Sequence, residues 1–199
     1  MSSDIALLEQ AVSYVLSAAD SVTPELFSRP TPCSPWDLHM LLRHTSESVA
    51  ALHEGLTTGR VALYPTADDD AAADPIQMLR ACATRLIDDW AAVTAAQFIY
   101  IADHRIPLSL MTSAAALEIA VHAWDIAQVS GDHRPIPPDL AADLLAVSEL
   151  LVPDSNRHRL FAPAVATSAT AGPGERLLAY LGRPAADTRT LQPTRAETP

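Results

Sequence analysis

A chain of 199 residues, 49% of them hydrophobic, is long enough for one domain with a substantial core. Its net charge of −11, with 13 basic residues against 24 acidic ones, excludes a nucleic-acid binder that draws its affinity from contacts to phosphate. No stretch approaches the ~20 apolar residues that cross a bilayer, and no basic region followed by a hydrophobic segment and cleavage site opens the chain, so a cytoplasmic protein with no membrane association is expected. Six glycines and 5% aromatics suit helices better than a strand-rich sandwich, and an all-α fold is predicted. Cys33 and Cys82 are too few and too separate for a disulfide framework. Cys33 reads as a small buried side chain, with a reactive thiol as the alternative.

Residues 3–22 carry Ile5, Leu8, Val12, Val15 and Leu16 at amphipathic-helix spacing. After the proline-rich Arg29-Pro30-Thr31-Pro32-Cys33-Ser34-Pro35, a second helix is predicted with Ser34 as N-cap and Pro35 at its first position, running to Leu52 or Gly55. Leu38, Leu41, Leu42, Thr45, Val49 and Leu52 form its packing stripe. His44 stands at the border of that stripe and can face inward, the plain alternative being a core-edge histidine. The acidic, alanine-rich stretch from Asp68 to Asp74 reads as a solvated linker, with a lid as the alternative. Pro75 opens a third helix through Leu79, Cys82, Leu86, Trp90 and Val93. Phe98-Ile99-Tyr100-Ile101-Ala102 is β-prone, but in this setting is expected to be connecting structure rather than sheet.

A fourth helix is predicted from Leu108 or Thr112 to Val129, closed by Gly131, and a fifth from Pro137-Pro138 to Leu151. A short last helix is expected over 174–181. The bundle should occupy residues 1–184, with 185–199, rich in Thr, Pro and Ala, a disordered tail.

The fourth helix carries the most informative pattern. Glu118 and His122 lie four residues apart and therefore project from one face, one turn apart, with Asp125 three residues further along the same stripe. A carboxylate among so many apolar residues needs a cation, and no arginine or lysine occurs between Met111 and Ser130, so a divalent metal is the economical partner. The alternative is a Glu–His hydrogen bond on a solvated face. Bundles build metal sites from inward side chains on facing helices. His44 from the second helix with Glu118 and His122 from the fourth make a two-histidine, one-carboxylate set that leaves coordination positions open, as in catalytic sites. Asp125 is either an orienter of a ligand histidine or a solvated helix-end acid. Trp36 and Trp124 read as core, with pocket lining as the alternative.

The segment Thr31-Pro32-Cys33-Ser34-Pro35-Trp36-Asp37-Leu38 through Leu41-Leu42-Arg43-His44, followed by Glu118-Ile119-Ala120-Val121-His122-Ala123-Trp124-Asp125-Ile126-Ala127, resembles the DinB-like superfamily. More narrowly, it resembles the actinobacterial metal-binding proteins grouped with the mycothiol-dependent maleylpyruvate isomerase N-terminal domain. Phe161-Ala162-Pro163-Ala164-Val165 and Gly174-Glu175-Arg176-Leu177-Leu178-Ala179-Tyr180-Leu181-Gly182-Arg183 resemble the ending of that group. The resemblance implies a four-helix bundle with additional C-terminal helices, and metal ligands at His44, Glu118 and His122. It implies a divalent metal, zinc first with nickel or iron as alternatives, and mycothiol or a related thiol as cosubstrate. It implies S-transfer or isomerisation of a small electrophilic substrate, in a biosynthetic or detoxification setting. The isomerase's additional C-terminal domain is not in this sequence, so maleylpyruvate itself is not the expected substrate. A noncatalytic metal- or ligand-binding bundle, and a bundle recruited for metal-independent chemistry, are the alternatives. A homodimer is open.

Overall fold

The structure is a computed structural model that describes residues 2–33, 35–62, 73–90, 97–153, 157 and 161–183. Its helices are α1 (Ser2–Ala19), α2 (Leu38–Thr58), α3 (Pro75–Trp90), α4 (Leu108–Ser130), α5 (Pro138–Leu151) and α6 (Pro173–Tyr180), with a short 3-10 turn at Pro24–Leu26. The chain is an all-α bundle of the DinB-like type. α1 packs along α4, α2 along α3 and across α4, and α5 lies between α4 and α6. The core is what the 3.6-residue period predicts: Leu8, Val12 and Val15 of α1 and Leu38, Leu41, Leu42, Val49 and Leu52 of α2 are all buried. α4 is central, buried on nearly every side from Ala115 to Ala127, with Gly131 in the left-handed conformation closing it. Among the described residues no helix is long and apolar enough to cross a membrane.

Two expectations are corrected. α2 begins at Leu38 with Asp37 as its N-cap, whose side chain accepts the Met40 N–H at 2.8 Å. Ser34, the expected cap, lies outside the described residues. The Trp36 N–H bonds the Cys33 carbonyl at 3.0 Å and the Thr31 N–H bonds the Trp36 carbonyl at 3.1 Å. Those bonds hold Thr31, Cys33 and Trp36 in a turn, and Asp37 directly after it caps the helix. α2 also runs one turn further than expected, to a left-handed Gly59.

Phe98–Ile101 is sheet, not connecting structure. It forms β2 of a three-stranded sheet, antiparallel to β3 (His104–Pro107) and parallel to β1 (Arg60–Val61). Ile99 is fully buried beneath it. A Cβ at Gly55 would sit 3.0 Å from Val61 Cγ2 and 3.1 Å from Ile99 Cδ1, so glycine there lets the sheet close on α2. The acidic stretch at 68–72 and the tail at 185–199 lie outside the described residues.

Beyond α5 the chain returns over the bundle. Arg157 stacks on the Tyr180 ring, with its carbon 4.4 Å from the centroid, and donates to the Tyr180 carbonyl, while the Tyr180 hydroxyl donates to the Val152 carbonyl at 2.9 Å. These contacts pin α6 to the end of α5.

Tyr14 ties α1 to the loop after α4 by donating to the Arg134 carbonyl at 2.8 Å. Burial pushes its hydroxyl well above the ordinary value of 10.0, with Asp132 and Asp125 adding to the shift and Arg134 opposing it. Because the folded pKa is raised, the contribution is fully present below pH 10 and is lost as pH rises from there toward the folded value. Wild type should therefore exceed Tyr14→Phe by about 1 kcal/mol at neutral pH. That margin should shrink above pH 10 by ~1.4 kcal/mol per unit, as read from urea midpoints of the two proteins between pH 8 and pH 11. A margin that stays flat over this range would show that the tyrosine ionises equally in both states.

Candidate metal centre

The buried stripe of α2 positions His44. With Leu41, Leu42 and Thr45 inside, the next side chain at the stripe's border emerges beside α4. The Trp36 ring lies against the imidazole with centroids 4.4 Å apart, which restrains its rotation. From α4, Glu118 meets His44, its Oε1 at 2.9 Å from His44 Nε2. The Ser48 hydroxyl, one turn further along α2, donates to the same oxygen at 2.6 Å. Among the described residues Glu118 Oε2 has no protein partner. The His122 ring stands 5.2 Å from that of His44, nearly perpendicular to it.

The three side chains singled out by spacing are thus brought together, with one donor atom from each within 4.8 Å of the other two. Bonds of about 2.0–2.2 Å from nitrogen or oxygen to one zinc ion place its ligand atoms no more than about 4 Å apart. The set therefore fits a divalent ion once its side chains close in by about an ångström or less. Two imidazoles and one carboxylate are also the donors that leave positions free. Burial pushes the Glu118 carboxyl up, but hydrogen bonds from His44 and Ser48 and the charge of His122 together outweigh it, leaving the group lowered and ionised.

Asp125 is not a solvated helix-end acid. Its carboxylate is completely buried, with Oδ2 at 3.3 Å from His122 Nδ1. The missing cation is Arg183, 58 residues away, whose Nε donates to Oδ1 at 2.9 Å and Nη2 to Oδ2 at 2.6 Å. No local pattern could have found this pair, since the only signal is an arginine near the chain's end. Gly182 makes the approach possible: it adopts φ 77°, and a Cβ there would lie 2.6 Å from the Ala162 carbonyl oxygen.

His44, Glu118, His122 and Arg183 line a cavity of about 450 Å³ whose other walls are mainly apolar, including Leu117, Val121, Leu151 and Phe161. That size suits a small-molecule ligand. Trp36 and Cys33 also line it, whereas Trp124 is core, as expected. Burial, then the Asp125 charge, push the Cys33 thiol up, so the site's own cysteine is a poor nucleophile. The other histidines stand apart: His39 packs on Phe27, His53 pairs with Asp89 at 2.6 Å and His133 with Gln128 at 3.1 Å. His158 lies outside the described residues.

Residues 8–127, more than half of the chain, match the family described as mycothiol maleylpyruvate isomerase N-terminal domain. Two uncharacterized proteins of Mycobacterium tuberculosis are similar over most of their length. MT0763 of strain CDC 1551 / Oshkosh and Rv0738 of strain ATCC 25618 / H37Rv are each 26% identical over 168 residues, spanning 82% of this chain and 88% of theirs. No solved structure matches the chain significantly. The matched region contains His44, Glu118, His122 and Asp125 but stops short of Leu151, Phe161 and Arg183, which complete the cavity.

Proposed function

Because the chain belongs to the mycothiol maleylpyruvate isomerase N-terminal domain family, we propose that it is a metal-dependent enzyme that joins a low-molecular-weight thiol of the mycothiol type to a small electrophile, in S-transfer or in isomerisation. The observation that carries this reading is the convergence of His44, Glu118 and His122, from two helices, in the wall of a mainly apolar cavity. A divalent ion held there, zinc first and nickel or iron otherwise, supplies the charge that turns a thiol into a thiolate.

The chain's residues do the rest. His44, Glu118 and His122 hold the ion, Ser48 steadies Glu118, and Trp36 limits the rotation of His44. Asp125 accepts from His122 Nδ1, which leaves the other ring nitrogen to bind. Leu117, Val121 and Phe161 exclude water from around the sulfur and receive the apolar part of the substrate. The sulfur lone pair forms a C–S bond to an electrophilic carbon. In S-transfer the displaced π pair takes up a proton and the conjugate leaves. In isomerisation the pair withdraws onto the substrate's carbonyl, the remaining single bond rotates, and the pair returns as the C–S bond breaks.

Elemental analysis of the purified protein is expected to find about one equivalent of divalent metal, as such a site holds one ion. Consumption of a mycothiol-type thiol against conjugated electrophiles should stop when the metal is stripped and resume when it is restored. Stoichiometric metal with no thiol chemistry across a broad electrophile panel would make the chain a binding bundle. Undiminished chemistry in verified metal-free protein would mean that the reaction does not use the ion.

A further inference from the structure

His122 belongs to two overlapping groups of donor atoms. One is the set with His44 and Glu118; the other is Cys33, His122 and Asp125, whose donor atoms also all lie within 4.8 Å of one another. The second set is attractive to the same ions, since a thiolate, an imidazole and a carboxylate together make a softer zinc or cobalt site than two imidazoles and a carboxylate. A divalent ion entering the cavity therefore faces a choice that the family-matched helices alone leave open.

Arg183 stands where that choice is made. Its guanidinium takes both oxygens of Asp125 in a side-on fork, at 2.9 and 2.6 Å, and its side chain is itself only 11% exposed. An arginine in this geometry neutralises a carboxylate and occupies its lone pairs. Asp125 is left able to accept from His122 Nδ1 but poorly able to bind a cation. Arg183 reaches this place through the left-handed Gly182 and its own N–H, which bonds the Leu178 carbonyl at 2.8 Å.

We propose that Arg183 is a positioning residue that assigns the metal to His44, Glu118 and His122 by withdrawing Asp125, and with it Cys33, from coordination. The inference rests on the reading of the site as a metal centre. It adds that the segment after α6 decides which donors are used. The electrostatic consequence favours the thiol chemistry. Glu118 and Asp125 carry one negative charge each, and Arg183 cancels the second, so a divalent ion leaves the site with one net positive charge for an incoming thiolate. A carboxylate and a protein thiolate on the ion would remove that charge.

Cobalt(II) added to metal-free full-length protein reports the donors directly, because a thiolate ligand adds an intense near-ultraviolet charge-transfer band to the visible ligand-field bands. Wild type is expected to show ligand-field bands without the sulfur band, and Cys33→Ser should leave its spectrum and affinity unchanged within about twofold. Arg183→Gln should gain the sulfur band and lose it again in Cys33→Ser/Arg183→Gln. Arg183→Lys keeps the charge and serves if the glutamine variant does not fold; without the fork it should bind cobalt about 10-fold more weakly, the lower end of the cost of losing such a supporting contact. A sulfur band in wild type, or Arg183 variants whose spectra and affinity match wild type, would overturn the assignment while leaving the metal centre standing. Wild type that takes up no cobalt at all would remove both.

Discussion

Alanine at position 122 is expected to strip the protein of its metal and of its thiol chemistry while leaving the bundle folded. His122 is one of three donors, so its loss should exceed the 10–100-fold drop in affinity that follows removal of a merely supporting contact. At micromolar protein the ion should be gone after gel filtration, and elemental analysis reads this directly. The fold should survive because the imidazole borders a cavity rather than filling the core, and because Arg183 still satisfies both oxygens of Asp125. A stability cost of about 1–2 kcal/mol is expected from the lost packing and the lost contact to Asp125. Glu118→Gln tests the same centre from its charge: it preserves size and a hydrogen-bonding oxygen for Ser48 but removes the only anionic donor of the set. Metal content undiminished in both variants would dissolve the site.

Arg183→Leu should cost about 3–5 kcal/mol of unfolding free energy in metal-free protein, because it strands the fully buried Asp125 carboxylate without its cation. For a chain of this length that is a fall in Tm of about 6–20 °C. The double variant Asp125→Leu/Arg183→Leu should recover most of the loss, since replacing a whole buried pair with apolar groups is often near neutral. Urea midpoints of the two variants and wild type, measured with chelator present, decide it. A single variant within 1 kcal/mol of wild type would mean that Asp125 finds water or another partner when the arginine is gone. The comparison also separates the two consequences of the pair: the double variant should fold well yet lack the contact that turns His122 toward the ion.

How far the chain could be read in advance follows from the range of each interaction. α1, α3, α4 and α5 were legible because a helix repeats within four residues, and apolar spacing, prolines and Gly131 mark it locally. The start of α2 was not, because Ser34 and Asp37 are equally good caps by type, and that Asp37 caps the helix follows a turn tied by hydrogen bonds among Thr31, Cys33 and Trp36. β2 was misread for a related reason. A strand is stable only against a partner, and the partner of Phe98–Ile101, beyond its own hairpin, is Arg60–Val61 at the far end of α2.

The site divides along the same line. The sequence by itself determined that Glu118 and His122 share a face and that His44 can turn inward, since the helical period sets both. Only the tertiary structure decided that α2 lies against α4 closely enough to bring His44 within 2.9 Å of Glu118. It alone supplied Arg183 as the cation for Asp125, across 58 residues, and the wall of Leu151 and Phe161 that closes the cavity. The physical reason is that backbone hydrogen bonding propagates order along a few turns, whereas the meeting of distant charges depends on how whole helices pack, and no local spacing encodes that.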